Sequence, residues 1–367
     1  MNILFITTGL GMGGAERQVC DLADQFSHLG HRVLLISMTG EIIISPRSKK
    51  ARIVALNMTK HPLEILRAYY RTCKIIIDFK PDVVHSHMIH ANIFSRLVRL
   101  KSPMPKLICT AHSSNEGGLA RMLAYRLTDT LCDLNTNVSQ DAVNAFITKK
   151  AVHQERTIAM HNGININRFS FNSESRNTLR RELNLTEDTP LILSVGRLTN
   201  AKDYPNLLSA FSDLRSTGIP VHLAIIGSGE EYTSLTAMVI KLGLMHQVHF
   251  LGLRRNVHEW MCAADIFVLS SAWEGFGLVV AEAMACQRIV VATDCGGVKE
   301  VVGNCGILVP PKNHFALANG IKKVLQMSSD EIEQLGVAAR KRIVAHFSLN
   351  AQAERWLSLY QSSDSQI

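Results

Sequence analysis

Short runs rich in Val, Ile and Leu alternate with longer segments of helical period along the whole chain, the form taken by βαβ units that build parallel sheets. In the first half, strands are expected near 2–8, 33–38, 52–56, 82–86, 107–110, 134–138 and 157–160. Residues 90–100 carry a helical period that is expected to set Ile93, Leu97 and Leu100 on one face, with Arg96 and Arg99 turned away. From His161 to Pro190 the chain turns polar, which makes this stretch the best linker candidate. The alternation then restarts, with strands near 191–195, 221–226, 247–251, 266–270, 289–292 and 307–309. The last segments, 329–345 and 350–361, read as helices separated near Ser348 and Asn350, either of which can cap the second. Two α/β domains follow, at 1–168 and 169–346, with a terminal helical segment at 347–367.

Composition agrees with a folded chain, since 47% of the 367 residues are hydrophobic and 19% charged. Apolar runs such as Val33–Met38 stop far short of the roughly 18–20 residues that cross a bilayer. Met1–Ile6 lacks a basic leader and reads as a first strand. Eight cysteines occur with no Cys-x-x-Cys pair, the usage of a reduced, cytoplasmic protein whose thiols are small buried side chains. The charge is lopsided: residues 1–168 hold 21 Lys+Arg against 12 Asp+Glu, while residues 169–367 hold 18 against 19. That excess suits an anionic partner, nucleic acid or membrane surface, and no nucleic-acid-binding motif accompanies it.

Three constellations carry candidate chemistry. After the first strand comes Gly9-Leu10-Gly11-Met12-Gly13-Gly14-Ala15-Glu16-Arg17, opening a helix. Such a turn either brings amides to an anion at the helix N-terminus or is a tight turn without a ligand. Gly11-x-Gly13-x-x-Glu16 breaks the dinucleotide fingerprint, and the second strand ends Ser37-Met38-Thr39-Gly40 without the acidic residue that would hold a ribose. In the second half, Arg197 and Lys202 follow a strand end, where they could clamp a diphosphate or stand as a solvated pair. Glu274 precedes the Gly275-Phe276-Gly277 turn and Glu282 lies in the helix that the turn opens. A carboxylate there can accept sugar hydroxyls while adjacent amides face phosphate oxygens.

In order and spacing these pieces resemble the retaining glycosyltransferases of the GT-B fold, specifically glycosyltransferase family 4 of the surface-polysaccharide type. The resemblance runs through the glycine loop, Asp82-Val83-Val84-His85-Ser86-His87, Thr110-Ala111-His112, Asn162-Gly163-Ile164-Asn165, Arg197 with Lys202, Ile226-Gly227-Ser228-Gly229, Phe250-Leu251-Gly252, and Glu274 with Glu282. It implies an α/β, GT-B architecture: two Rossmann-like domains facing across a cleft, with a C-terminal helix returning to the first. It also implies that Arg197 and Lys202 bind the donor diphosphate with help from the amides of Gly13 and Gly14. Glu274 and the backbone of Gly275, Phe276, Gly277 and Leu278 would hold the sugar, Glu282 the ribose, and the Gly252 region the base. His112 would point at the sugar near the anomeric carbon. The chain departs from the family at Asn165, where Asp is common, and at Gln287, where Gly is common.

The expected reaction is transfer of a hexose or N-acetylhexosamine, with retention, from a nucleotide sugar to a saccharide acceptor on a polyprenyl diphosphate, for O-antigen, capsule or a similar polymer. A UDP-sugar is favoured; GDP-mannose transfer and a sugar-nucleotide epimerase of the same fold are the alternatives. His85 and His87 read as a packed or capping pair, because no third metal ligand lies near. With no Asp-x-Asp in the chain, neither metal nor cofactor is expected, and nucleic acid is not an expected partner. Segment 47–74 sets Arg47, Lys49, Lys50, Arg52, Lys60, Arg67, Arg71 and Lys74 against the single acid Glu64, beside Leu63, Leu66, Tyr69 and Tyr70. It is expected to bind anionic membrane at the inner face of the plasma membrane, unless those apolar residues pack on the sheet.

Overall fold

The structure, a computed structural model, describes residues 1–114, 116–215, 218 and 220–362. In chain order the first elements are β1 (Asn2–Thr7), α1 (Gly14–His28), β2 (Arg32–Ser37), β3 (Arg52–Ala55), α2 (Pro62–Phe79), β4 (Val83–His87), α3 (Ile89–Arg99), β5 (Leu107–Ala111), α4 (Gly118–Thr128), β6 (Leu134–Asn137), α5 (Gln140–Thr148) and β7 (Thr157–Ala159). Then come α6 (Ser173–Glu182), β8 (Leu191–Val195), α7 (Tyr204–Arg215), β9 (His222–Ile226), α8 (Tyr232–Lys241), β10 (Val248–Gly252), α9 (Val257–Ala263), β11 (Ile266–Leu269) and α10 (Leu278–Ala285). The chain ends with β12 (Ile289–Thr293), α11 (Val298–Val302), β13 (Ile307–Val309), α12 (His314–Leu325), α13 (Ser329–Phe347) and α14 (Leu349–Gln361).

The described residues form two compact units, Met1–Gly163 joined by the residues from Leu349 on, and Ile164–Ser348. The first holds a parallel sheet in the order β3-β2-β1-β4-β5-β6-β7, the second one in the order β10-β9-β8-β11-β12-β13. Both are sandwiched between helices, which is why their strands read as unbroken apolar runs. In the first unit Ile3 and Phe5 face α1, while Leu4 and Ile6 face α2 and α3, the two-residue alternation of a strand. On the α1 side lie Leu349, Ala353, Trp356 and Tyr360 of α14, so the last helix completes the first unit's core.

The chain crosses from the first unit to the second at Gly163/Ile164, near the start of the polar stretch, five residues before the expected boundary at 168/169, and returns at Ser348/Leu349. Ile164 bridges Ser348 and its N–H donates to the Phe347 carbonyl at 2.7 Å, so the outgoing and returning strands leave side by side. A Cβ on Gly163 would lie 2.8 Å from the Cα of Leu349, which explains the glycine. The rest of the stretch read as a linker is not loose chain, because it contains α6, a helix of the second unit. Asn172 caps it, and Arg176 and Arg180 grip Asp265 at 2.5 and 3.1 Å. Its polarity is that of a helix fastened by ion pairs.

A second correction concerns α3. Leu97 and Leu100 are exposed, whereas Arg96 is wholly buried. Its guanidinium donates to the Tyr125 carbonyl at 3.0 Å, Thr128 Oγ1 at 2.9 Å and Asn135 Oδ1 at 2.5 Å, and lies 3.9 Å from Asp129. Helix α4 and the turn after it cover this face of α3, so a side chain that periodicity turns to solvent becomes the hub of a buried network.

Candidate glycosyl-transfer site

In each sheet the strand order reverses between two central strands, at β1/β4 and at β8/β11, and ligands of open α/β sheets gather at the carboxyl ends there. Arg197 and Lys202 follow β8; Glu274 follows β11. The reversal in the second unit therefore collects the three charged residues singled out from the sequence. Lys202 Nζ and Glu274 Oε1 form an ion pair, and Ser271 Oγ donates to the same carboxylate oxygen at 2.8 Å. Both side chains are mostly buried, at 21% and 13% exposure, which leaves their charges poorly screened by water. An ammonium has three N–H donors, so Lys202 retains further donors beyond the one on Glu274. Arg197 is exposed and makes no ion pair among the described residues.

The frame that holds these groups is backbone. Ala272 N donates to the Ala201 carbonyl at 2.9 Å and Ser270 Oγ to the Lys202 carbonyl at 2.8 Å, tying the loop after β8 to that after β11. Leu198 N donates to Ser228 O at 2.9 Å and Gly227 N to Gly252 O at 2.9 Å, which brings the loops after β9 and β10 alongside. Gly227, at φ 150°, sits so close to the Gly196 carbonyl that no Cβ fits. Gly297 N binds the Gly275 carbonyl at 3.2 Å and steadies the turn before α10. Glu282 lies in the middle of α10, partly exposed.

The first unit places the glycine loop at the carboxyl end of β1, with Gly13 as the residue before α1, extended at φ −142°, and Gly14 exposed at the helix start. His112 follows β5, two strands along from β1. Its Nε2 lies 3.1 Å from Nδ1 of His87, and its backbone N–H donates to Glu116 Oε1 at 3.1 Å. Glu116 Oε2 accepts from the Tyr125 hydroxyl at 2.6 Å, and Asn92 Nδ2 donates to that hydroxyl at 2.8 Å. Burial pushes the pKa of His112 down to about 4, and those of His85 and His87 well below the ordinary value, with neighbouring histidines lowering the latter two further. These rings are neutral at physiological pH. Among the described residues no group of three or more His, Cys, Asp or Glu side chains could hold a metal ion.

The model of Glycosyltransferase Family 4 matches residues 12–168, and that of Glycosyl transferases group 1 matches residues 175–342, so the two together span nearly the whole chain. The chain is a glycosyltransferase of the GT-B type. This glycosyltransferase is 26% identical over 337 residues to the N-acetylgalactosamine-N,N'-diacetylbacillosaminyl-diphospho-undecaprenol 4-alpha-N-acetylgalactosaminyltransferase of Campylobacter jejuni, covering 86% of this chain and 88% of that one. Its fold matches a glycosyltransferase from Rickettsia africae with a TM-score of 0.87 at 21% identity, over 98% of both chains. It also matches Anabaena Alr3699/HepE in complex with UDP and glucose, with a TM-score of 0.86 at 22% identity, over 99% of this chain and 100% of that one.

The glycosyltransferase's two departures from its family have local explanations. Asn165 Oδ1 accepts from Arg168 N at 3.0 Å, a turn contact that an aspartate would make equally. Gln287 stands at φ 61° just beyond α10, in the left-handed region where glycine is unstrained. Sequence reasoning missed Ser271 and the Glu116–Tyr125–Asn92 chain. Ser271 lies within the Ser270–Glu274 segment but carries no charge to draw notice; the chain joins residues far apart in sequence.

Proposed function

We propose that this glycosyltransferase moves a hexose or N-acetylhexosamine from a nucleotide sugar, a UDP-sugar in preference, to a saccharide carried on a polyprenyl diphosphate, with retention and without a metal ion. The observation that carries the reading is the Lys202–Glu274 pair at the second unit's strand reversal, with Arg197 exposed in the loop that carries Lys202. As the bond from the sugar to the diphosphate breaks, negative charge grows on the leaving group. Arg197 and Lys202 stabilise that charge. Glu274 and the backbone of 275–278 hold the sugar, Glu282 the ribose and the Gly252 loop the base. The acceptor hydroxyl attacks from the face the diphosphate leaves and passes its proton to the departing phosphate. The Campylobacter relative, named for a diphospho-undecaprenol substrate, supports the choice of acceptor. Incubation with UDP-, GDP- and ADP-sugars and a polyprenyl-diphosphate-linked saccharide in excess EDTA tests this. The expected product forms from a UDP-sugar, and its anomeric proton coupling matches that of the donor. An inverted product, or activity lost in EDTA and restored by magnesium or manganese, would overturn the retaining, metal-independent reading.

We also propose that the first unit rests on anionic membrane. No helix among the described residues is long and apolar enough to cross one. On α2, however, Leu63, Leu66 and Tyr70 are 60%, 50% and 51% exposed, while Ala68, Thr72, Cys73 and Ile76 form the buried face. Arg67, Arg71 and Lys74 are exposed on the same helix, and Arg47, Lys49, Lys50, Arg52 and Lys60 before it. Helix α3 packs between α2 and α4, and Leu119, Leu123 and Leu127 of α4 are exposed at a spacing of four. Basic residues near anionic lipid contribute roughly 1 kcal/mol each. Co-sedimentation with phosphatidylglycerol vesicles should exceed that with phosphatidylcholine, weaken with salt, and fall in a variant with Lys49, Lys50, Arg52 and Arg67 changed to Ser. Equal binding to both lipids, or an unaffected variant, would remove the membrane from the account.

A further inference from the structure

We infer that His87 is a positioning residue: it donates its Nδ1 proton to Nε2 of His112 and so holds that ring in the tautomer whose own proton is on Nδ1. The two nitrogens are 3.1 Å apart, so one of them carries the shared proton. The rest of His87 decides which. Its side chain is 1% exposed, and its Nε2 is buried without a hydrogen-bond partner among the described residues. Were the proton on Nε2, a buried N–H would stand unpaired, a rarer and costlier state than an unpaired acceptor lone pair. The proton therefore sits on Nδ1 and points to His112. Because a histidine's tautomer is set by the bond its other nitrogen makes, His112 presents Nδ1–H as its remaining polar group.

The His87 ring is itself held. His85 and His87 are two residues apart on β4 and share one face, with ring centroids 4.0 Å apart. His85 lies 4.5 Å from the Trp356 ring, and its Nδ1 is 2.6 Å from the Tyr360 hydroxyl, both on α14. Its Nε2 lies 2.6 Å from Thr110 Oγ1, which in turn contacts Thr136 Oγ1 at 2.6 Å. A continuous chain of hydrogen bonds runs from Tyr360 through His85 and Thr110 to Thr136. The last helix of the chain thus braces the ring that orients His112. The consequence for chemistry is that His112 serves as a hydrogen-bond donor to a sugar or phosphoryl oxygen and not as a base, since its Nε2 lone pair is engaged and burial disfavours its protonation.

The chemical consequence rests on the role at the donor sugar that the family resemblance gives His112, and the experiment separates that role from the positioning. Long-range proton–nitrogen correlation spectra of the full chain labelled with ¹⁵N-histidine read which nitrogen of each ring is protonated. In the wild type, His112 should show its proton on Nδ1 and an acceptor Nε2. A proton on Nε2 of His112 overturns the inference whatever the variants do. His87→Leu should mix the His112 tautomers and lower kcat about 10- to 100-fold with little change in KM, the scale of loss when a positioned group is left misplaced. His87→Asn, whose amide can replace the Nδ1–H donor, should restore the tautomer and most of the rate. Equal impairment of the Leu and Asn variants, or an unchanged His112 spectrum in the Leu variant, also overturns it. Full activity in His112→Ala with the wild-type tautomer confirmed would instead remove His112 from the donor site and leave the positioning intact.

Discussion

Lys202→Ala and Glu274→Ala are each expected to lower turnover about 100- to 1,000-fold, the usual cost of removing one group that stabilises transition-state charge. The two side chains touch, and both stand at the carboxyl ends of the strands flanking the sheet's reversal. In the proposed reaction Lys202 meets the leaving diphosphate and Glu274 the sugar, so each loss is expected to be felt while the bond breaks. The fold should survive, because the loops are joined by main-chain and serine bonds, Ala272 N to Ala201 O and Ser270 Oγ to Lys202 O, that neither substitution removes. Since the residues are partners, the double variant should lose less than the product of the single effects. Steady-state rates and circular dichroism of the purified variants check this. Near-normal rates in both single variants would sink the assignment.

The largest effect on stability is expected from Arg96→Ala. Removing one member of a buried ionic cluster leaves the others unpaired and commonly costs about 3–5 kcal/mol. Here the loss would strip donors from the Tyr125 carbonyl, Thr128 and Asn135, and one of the cations near Asp129. Arg156 still reaches Asp129 at 3.1 Å, so the carboxylate keeps a counter-charge and the effect should stay within that range. The Arg96 guanidinium also lies 5.0 Å over the Tyr125 ring, whose hydroxyl binds Glu116, the acceptor for the His112 N–H. Denaturant midpoints at unchanged slope measure the loss. A change below about 1 kcal/mol, the worth of an exposed pair, would mean that the network contributes little.

The strands were legible because parallel strands covered on both faces are plain apolar runs, and each expected strand lies within a residue or two of an observed one. The charged residues of the second unit were legible for a related reason: they follow strand ends, and strand ends at a reversal are where ligands collect. Arg96 was not, because helical periodicity sorts residues by polarity and cannot see that α4 and its following turn lie over α3. The helix α6 inside the polar stretch was hidden in the same way. A helix whose hold on its neighbours is Arg176 and Arg180 on Asp265 looks, in sequence, like solvated chain. His85 and His87 were recognised as a packed pair. Their connection to Tyr360 and His112 needed the fold, since it joins β4 to the last helix and to the loop after β5.

The central claim is that the second unit's strand reversal is a nucleoside-diphosphate site, and calorimetric titration with UDP, GDP, ADP and uridine tests it without needing the acceptor. The account predicts that UDP binds, that uridine binds far more weakly, and that Arg197→Ala weakens UDP about 10- to 100-fold, as for a lost hydrogen bond to a charged group. Uridine binding as tightly as UDP, or UDP binding indifferent to Arg197→Ala, would contradict it.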